Sequence, residues 1–177
     1  MNIAANLKVF KTGPGALVAP SDMLSEIVRG DCLSENDPRQ WVPLGDDNYS
    51  LPLCLNASEG YWVHLLRATK PGVINRHRHS APVHLMTFEG HWHYPEKDWV
   101  AGPGTYVFEP PGDIHTLCVP EGGAVMVFMA NVRGALLYVD EAGTLSGYDD
   151  VFTRIDACRR HYTAVGLGAD YVRRFIR

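Results

Sequence analysis

The chain has 177 residues, of which 46% are hydrophobic and 20% are charged, and this composition is typical of one globular domain rather than a disordered or fibrous chain. The formal net charge of −4 and the lack of a basic segment give no electrostatic support for binding nucleic acid or anionic lipid. No stretch approaches the roughly 20 apolar residues that a membrane-spanning helix needs.

Residues 1–45 are interrupted by glycine and proline and are predicted to form an N-terminal arm laid over the core. Within the arm, residues 21–30 are predicted to form a short helix that ends at Gly30. A lysine interrupts the apolar patch at the N-terminus, so the segment does not resemble a secretory signal and we expect a cytoplasmic protein. The four cysteines are 22 or more residues apart without a C-x-x-C pair, which predicts free thiols.

Residues 46–140 are predicted to be the core of the domain. Ten short runs rich in β-formers follow one another between residues 49 and 140, separated by turn residues and without a helical segment between them. A parallel α/β sheet would need helices between its strands. The order therefore predicts an all-β fold, an antiparallel β-sandwich or barrel.

Residues 146–177 are predicted to be a helical tail, so that residues 1–177 make a single domain. The apolar residues of its first part recur at helical spacing: Val151, Ile155, Cys158 and Tyr162. Asp149 or Asp150 is the candidate N-cap, and Gly166 is the predicted end of the helix.

Three histidines have the spacing of a metal site. His77 and His79 are two residues apart in a predicted strand, so both side chains project from one face, about 7 Å apart at the backbone. His115 follows a Pro-Pro-Gly-Asp turn that fixes where it enters the next strand. Imidazole suits iron, copper, zinc and nickel, so these residue types leave the metal open.

The same residues resemble the two motifs of the cupin superfamily. The first motif, G-x5-H-x-H-x3-4-E-x6-G, has near counterparts in Gly72, His77, His79, His84 and Gly90. The second, G-x5-P-x-G-x2-H-x3-N, is matched at its own spacing by Gly104, Pro110, Gly112 and His115. The chain departs from the pattern in three ways: the first gap is one residue short, His84 replaces the glutamate with a shortened gap after it, and Val119 replaces the asparagine.

The resemblance implies a jelly-roll barrel with His77, His79 and His115 as metal ligands. Without the glutamate ligand, a divalent ion would keep its full charge and several open positions. This ligand set is similar to that of the iron(II) dioxygenases that cleave carbon–carbon bonds in β-diketones and hydroxyketones. The segments around the motifs resemble the 2,4'-dihydroxyacetophenone dioxygenases and, more distantly, the acetylacetone-cleaving dioxygenases.

The resemblance therefore implies Fe2+ as cofactor, with O2 and a small aromatic hydroxyketone as substrates. Cleavage between the carbonyl and hydroxymethyl carbons would give 4-hydroxybenzoate and formate. Three other functions remain open: a β-diketone-cleaving dioxygenase, a zinc or manganese isomerase on the same site, and a non-enzymatic binding module. We also expect a homo-oligomer, either a dimer or a tetramer.

Further residues are candidates for the surroundings of the metal. His84 is predicted to be either a fourth ligand or a pocket residue. Glu109, six residues before His115, is the candidate hydrogen-bond partner for the outer nitrogen of a ligand histidine. The candidate substrate-binding residues are Trp62, Met86, Phe88, Tyr94 and Glu96. His91 and His93 repeat the two-residue spacing but lack a second turn of this kind, so they are expected to be pocket lining or surface.

Overall fold

The computed structural model describes residues 22–30, 32–34, 37–123 and 125–177 of the chain. In these ranges the chain forms twelve β-strands, one α-helix and two short 3-10 helices. The strands are β1 (Val42–Gly45), β2 (Asn48–Asn56), β3 (Tyr61–Ala68), β4 (Gly72–His79), β5 (Val83–Glu89), β6 (Trp92–His93), β7 (Val100–Ala101), β8 (Tyr106–Glu109), β9 (Ile114–Val119), β10 (Met126–Arg133), β11 (Leu136–Val139) and β12 (Leu145–Asp149).

The strands form two six-stranded antiparallel sheets that face each other. The first sheet has the order β1-β2-β3-β10-β5-β8, and the second has the order β12-β11-β4-β9-β6-β7. Their inner faces share one apolar core, to which Trp62 and Phe128 of the first sheet and Trp92 of the second belong. The predicted all-β antiparallel sandwich is confirmed. Side chains alternate along each strand, so each sheet can bury one of its faces against the other.

All ten predicted strand segments contain strands, and two further strands lie outside them. β1 occupies Val42–Gly45, in the segment predicted as arm, and β12 occupies Leu145–Asp149, at the start of the predicted tail. Both are edge strands. Short edge strands carry weak period-two signals, because only one neighbour and one face constrain their composition.

The described part of the arm packs on the outer face of the first sheet. Arg29 Nη1 donates to the carbonyl oxygen of Pro52 at 2.8 Å, and Trp41 packs against Leu51, Leu65 and Val127. The helix predicted at residues 21–30 is wrong over the described residues 22–30, which are turn and irregular backbone. A 3-10 helix, Pro38–Gln40, follows. Residues 1–21 lie outside the described ranges, so the prediction for them is not tested.

The tail contains α1 (Val151–Ala164) and a 3-10 helix (Ala169–Phe175). Asp150 is the N-cap, and its carboxylate accepts from the backbone N–H groups of Phe152 and Thr153. The four predicted apolar positions are buried, and so is Arg154. In the described ranges, no helix has both the length and the apolar character needed to cross a bilayer. All four cysteines are described and are free, as predicted.

Candidate metal centre

The three predicted histidines meet where β4 pairs with β9. His77 and His79 point inward from β4 and are buried, while Arg78 between them is exposed. On β9, His115 lies directly opposite His77 in the antiparallel register. The preceding turn is tied to the same strand, since the N–H of Gly112 donates to the carbonyl oxygen of His79 at 2.9 Å. The turn therefore sets the position of His115 against β4.

The imidazoles present their Nε2 atoms to one another. His77 Nε2 lies 3.0 Å from His79 Nε2 and 3.1 Å from His115 Nε2. The carboxylate of Glu109 joins them, with Oε2 3.0 Å from His79 Nε2 and 3.8 Å from His115 Nε2. One ligand atom from each of the four residues lies within 4.8 Å of all the others, and all four residues are buried. This geometry can hold one metal ion.

Asn75 fixes the tautomer of His77. Its Oδ1 accepts the Nδ1–H of His77 at 2.7 Å, which leaves the Nε2 lone pair directed at the centre of the cluster. Burial holds the pKa of His77 well below its usual value, and the adjacent His79 and His115 act in the same direction. Burial also lowers the pKa of His115, against the opposing effect of Glu109. Neutral imidazoles are the form that binds metal.

Glu109 directs Oε2 at the inner Nε2 atoms of His79 and His115, whereas the sequence analysis predicted a partner for an outer ring nitrogen. β8 places it inward because Glu109 pairs with the buried Val83 of β5. The cluster therefore offers a carboxylate oxygen beside the three imidazoles, and the predicted ligand set of His77, His79 and His115 without a negative ligand stays a prediction. Beside the outer nitrogen of His115 lies Asp113, with its Oδ2 3.8 Å from Nδ1, a residue that the sequence analysis did not single out.

Tyr94 contacts two members of the cluster. Its ring stacks on His115 with 4.1 Å between centroids and 6° between planes. Its hydroxyl donates to Glu109 Oε1. Burial raises the pKa of Tyr94 well above its usual value, and the neighbouring Glu109 charge raises it further, so the phenol remains a donor. Tyr94 thus supports the cluster as well as lining the cavity beside it.

His84 lies outside the cluster. It is exposed on the outward face of β5, where its Nδ1 is 2.7 Å from the hydroxyl oxygen of Tyr106. Its predicted role as a fourth ligand or pocket residue is therefore corrected. The cause is the phase of β5, which turns Val83, Leu85 and Thr87 inward and His84 outward.

A cavity of about 280 Å3 lies between the sheets and includes His77, His79 and Glu109 in its wall. Of the five candidate substrate-binding residues, Trp62 and Tyr94 line it, whereas Met86, Phe88 and Glu96 do not. Met86 and Phe88 share the outward phase of His84, and Glu96 instead accepts from the backbone N–H and the hydroxyl of Thr116 at 3.0 and 2.7 Å. His91 and His93 belong to neither the cavity nor the cluster.

The cavity wall combines apolar residues with polar side chains that the sequence analysis missed or assigned to the core. These polar side chains include Asp46, Asn48, His64, Asn75 and Arg154. Asn75 had a readable signal, since it lies two residues before His77 and so on the same face of the strand. Imidazole nitrogens with one carboxylate oxygen are a donor set for iron, zinc, copper or nickel, so the residues fit a first-row transition metal.

The profile of the ChrR cupin-like domain family matches residues 29–133, more than half of the chain. An RmlC-like cupin protein from Ralstonia eutropha JMP134 is 29% identical, with a TM-score of 0.68 over 75% of this chain and 87% of that one. An acetylacetone dioxygenase from Acinetobacter johnsonii is 16% identical, with a TM-score of 0.66 over 80% of this chain and 96% of that one. At that identity the second likeness shows the fold alone.

No curated protein matches the sequence. The family profile covers the strands that carry His77, His79, Glu109 and His115, so the match includes the whole four-residue cluster. The chain therefore belongs to the cupin superfamily, as a member of the ChrR cupin-like domain family.

Proposed function

We propose that the chain is a non-haem iron(II) dioxygenase that cleaves the bond between the carbonyl and hydroxymethyl carbons of an aromatic α-hydroxyketone. With 2,4'-dihydroxyacetophenone and O2 as substrates, the products are 4-hydroxybenzoate and formate. Both oxygen atoms then enter the products, and no external reductant is needed. The observation that carries the proposal is the buried group of three histidines and Glu109, of which His77, His79 and Glu109 line a cavity between the sheets.

His77, His79, His115 and Glu109 are the residues that would hold the iron. A bound iron(II) ion would supply the Lewis acidity and the redox chemistry needed to activate the hydroxyketone and O2. The chain itself supplies a fixed and dry setting. Asn75 holds the ring of His77 in one tautomer, and Tyr94 keeps a hydrogen bond on Glu109.

The cavity suits one small aromatic molecule. Its volume, about 280 Å3, is close to the lower limit of ligand-pocket sizes, which favours a small substrate. Its wall includes Leu85, Phe128 and Leu136, whose apolar surfaces can contact a ring and exclude water.

The test combines metal analysis with oxygen uptake by the purified protein. We expect iron in the protein, uptake of one O2 for each 2,4'-dihydroxyacetophenone consumed, and equal amounts of 4-hydroxybenzoate and formate. Under argon the reaction should stop. The proposal fails if protein fully loaded with iron takes up no oxygen on any hydroxyketone or β-diketone.

A β-diketone is the second candidate substrate, because the fold extends over 96% of an acetylacetone dioxygenase chain. The ratio of kcat/KM for 2,4'-dihydroxyacetophenone and acetylacetone decides between the two. A zinc or manganese isomerase would convert its substrate equally well under argon. A non-enzymatic binding protein would neither take up oxygen nor convert a substrate. The homo-oligomer and the cytoplasmic location stay predictions, the first of which light scattering of the purified protein can test.

A further inference from the structure

Arg154 is a buried arginine whose position the metal centre does not explain. It lies on the inward face of α1, with 7% of its side chain exposed, and it forms part of the wall of the cavity that contains the histidines. Arginine is almost never buried to this degree unless its donors are paired. Its partners therefore decide what it does in the cavity.

Only part of the guanidinium is paired. Nη2 forms an ion pair with Asp149 Oδ2 at 2.8 Å, whereas Nε and Nη1 have no hydrogen-bond acceptor among the described residues. The Asp149 carboxylate also accepts hydrogen bonds from the hydroxyls of Tyr138 at 2.6 Å and Thr153 at 2.9 Å. The carboxylate is thus shared among three side chains.

A third unpaired donor lies beside Arg154. Trp62 Nε1 has no acceptor among the described residues, and Cζ of Arg154 is 5.5 Å from the centre of the Trp62 ring. Both side chains line the cavity. Buried donors are nearly always satisfied in folded proteins. Three donors without an acceptor, on two side chains that line one cavity, therefore point to an acceptor that the described residues do not supply.

We propose that Arg154 binds the ring oxygen of the substrate, the hydroxyl para to the hydroxyacetyl group. This inference rests on the proposed function, since it names the part of the hydroxyketone that lies away from the reacting carbons. It makes Arg154 a specificity residue: a substrate with an oxygen on the ring satisfies its donors, and a substrate without one leaves them unpaired.

The charges favour a hydroxyl over a carboxylate at this position. Arg154 is already balanced by Asp149. His64, which also lines the cavity, adds no positive charge, because burial and the neighbouring Arg154 lower its pKa to about 3. A carboxylate would leave one negative charge uncompensated in a buried site, whereas a phenol oxygen accepts a hydrogen bond without that cost.

The test compares two substrates in the iron-loaded wild type and in Arg154→Met. The substrates are 2,4'-dihydroxyacetophenone and 2-hydroxyacetophenone, which lacks only the ring hydroxyl. In the variant, kcat/KM for the hydroxylated compound should fall by about 10- to 100-fold, as expected for a hydrogen bond to a charged group. For the compound without the hydroxyl, kcat/KM should change by much less than this, and the iron content should stay the same.

Asp149→Asn is the matched control, because it breaks the same ion pair and keeps the guanidinium. If Arg154 acts only by holding α1, the two variants lower kcat/KM alike, and the inference is overturned. An equal loss on both substrates in Arg154→Met overturns it as well. If Arg154→Met does not fold, Arg154→Lys takes its place, since it keeps the charge and loses the planar fork of donors.

Binding to the metal-free protein separates this inference from the proposed function. Quenching of tryptophan fluorescence gives the affinities for 4-hydroxyacetophenone and acetophenone. If the wild type consumes no oxygen, yet binds 4-hydroxyacetophenone tighter by about 10-fold or more and Arg154→Met abolishes that preference, the function fails and the inference stands. If oxygen is consumed and Arg154→Met leaves the preference for the ring hydroxyl unchanged, the inference fails and the function stands.

Discussion

Tyr94 lies flat on His115, with 4.1 Å between the ring centroids, and donates its hydroxyl to Glu109. One side chain thus supports both a histidine and the carboxylate of the cluster. Glu109 is 4% exposed, so water cannot replace this donor easily. A hydrogen bond to a buried carboxylate is among the stronger ones in proteins.

Tyr94→Phe keeps the stacked ring and removes the donor. We expect the free energy of unfolding of the metal-free protein to fall by about 1.5–3 kcal/mol. Urea denaturation measures it. Tyr106→Phe is the control, because this exposed tyrosine has its hydroxyl 2.7 Å from Nδ1 of the exposed His84. Its loss should stay within about 0.5 kcal/mol. An equal loss of unfolding free energy in the two variants would show that the hydrogen bond to Glu109 stabilises the protein no more than the exposed one does.

Alanine at His77, His79 or His115 should remove bound iron and oxygen uptake together. Each substitution deletes one of the converging Nε2 atoms. The loss of metal affinity should exceed the about 10- to 100-fold that follows from losing a hydrogen-bond partner of a ligand. His84→Ala is the control and should keep both iron and turnover, because His84 lies outside the cavity. Full activity in any of the three ligand variants contradicts the assignment.

The positions of His77 and His79 could be predicted because the irregularity in the pairing of β4 with β9 lies earlier, between Val73 and Asn75. Regular alternation then holds from Asn75 to His79, and a rigid turn places His115. Which residues of β5 point into the core could not be predicted. Apolar residues occur on both of its faces, for example Leu85 and Met86, so the sequence allows either phase.

Pairing between distant segments decides what the local pattern leaves open. Leu85 lies opposite Ala130 of β10, and Glu109 lies opposite Val83, so the register turns the first inward and brings the second into the cluster. Arg154 had a local signal, since it lies three residues after Val151 and one before Ile155 on the buried side of α1. A charged residue is rarely buried unless it is paired, so one at a buried helical position marks a candidate binding site.

Glu109→Gln tests whether the carboxylate is a metal ligand. The amide keeps the shape and loses the negative charge, so iron affinity should fall by more than the about 10- to 100-fold that follows from losing a hydrogen-bond partner of a ligand. Asp113→Asn is the control. Asp113 is partly exposed, pairs with Lys97 at 2.8 Å and lies 3.8 Å from the outer nitrogen of His115, so its effect should stay within about 5-fold. Competition with a chelator measures both. Unchanged affinity in Glu109→Gln would mean that the ion is held by the histidines alone.

His64 should make the protein less stable in acid. Burial lowers its pKa from 6.5 to about 3 in the folded protein, so between these values the unfolded chain binds a proton that the folded chain does not. Falling pH therefore favours unfolding across this window, by at most about 1.4 kcal/mol per pH unit. His64→Gln removes this proton and retains a polar group beside Ser50, whose hydroxyl oxygen lies 2.8 Å from His64 Nδ1. In urea denaturation of the metal-free protein, the stability difference between wild type and variant should be constant above pH 7 and should shift in favour of the variant below pH 6.5. The other buried histidines are the same in both proteins, so parallel curves across the whole range would show that His64 does not titrate on unfolding.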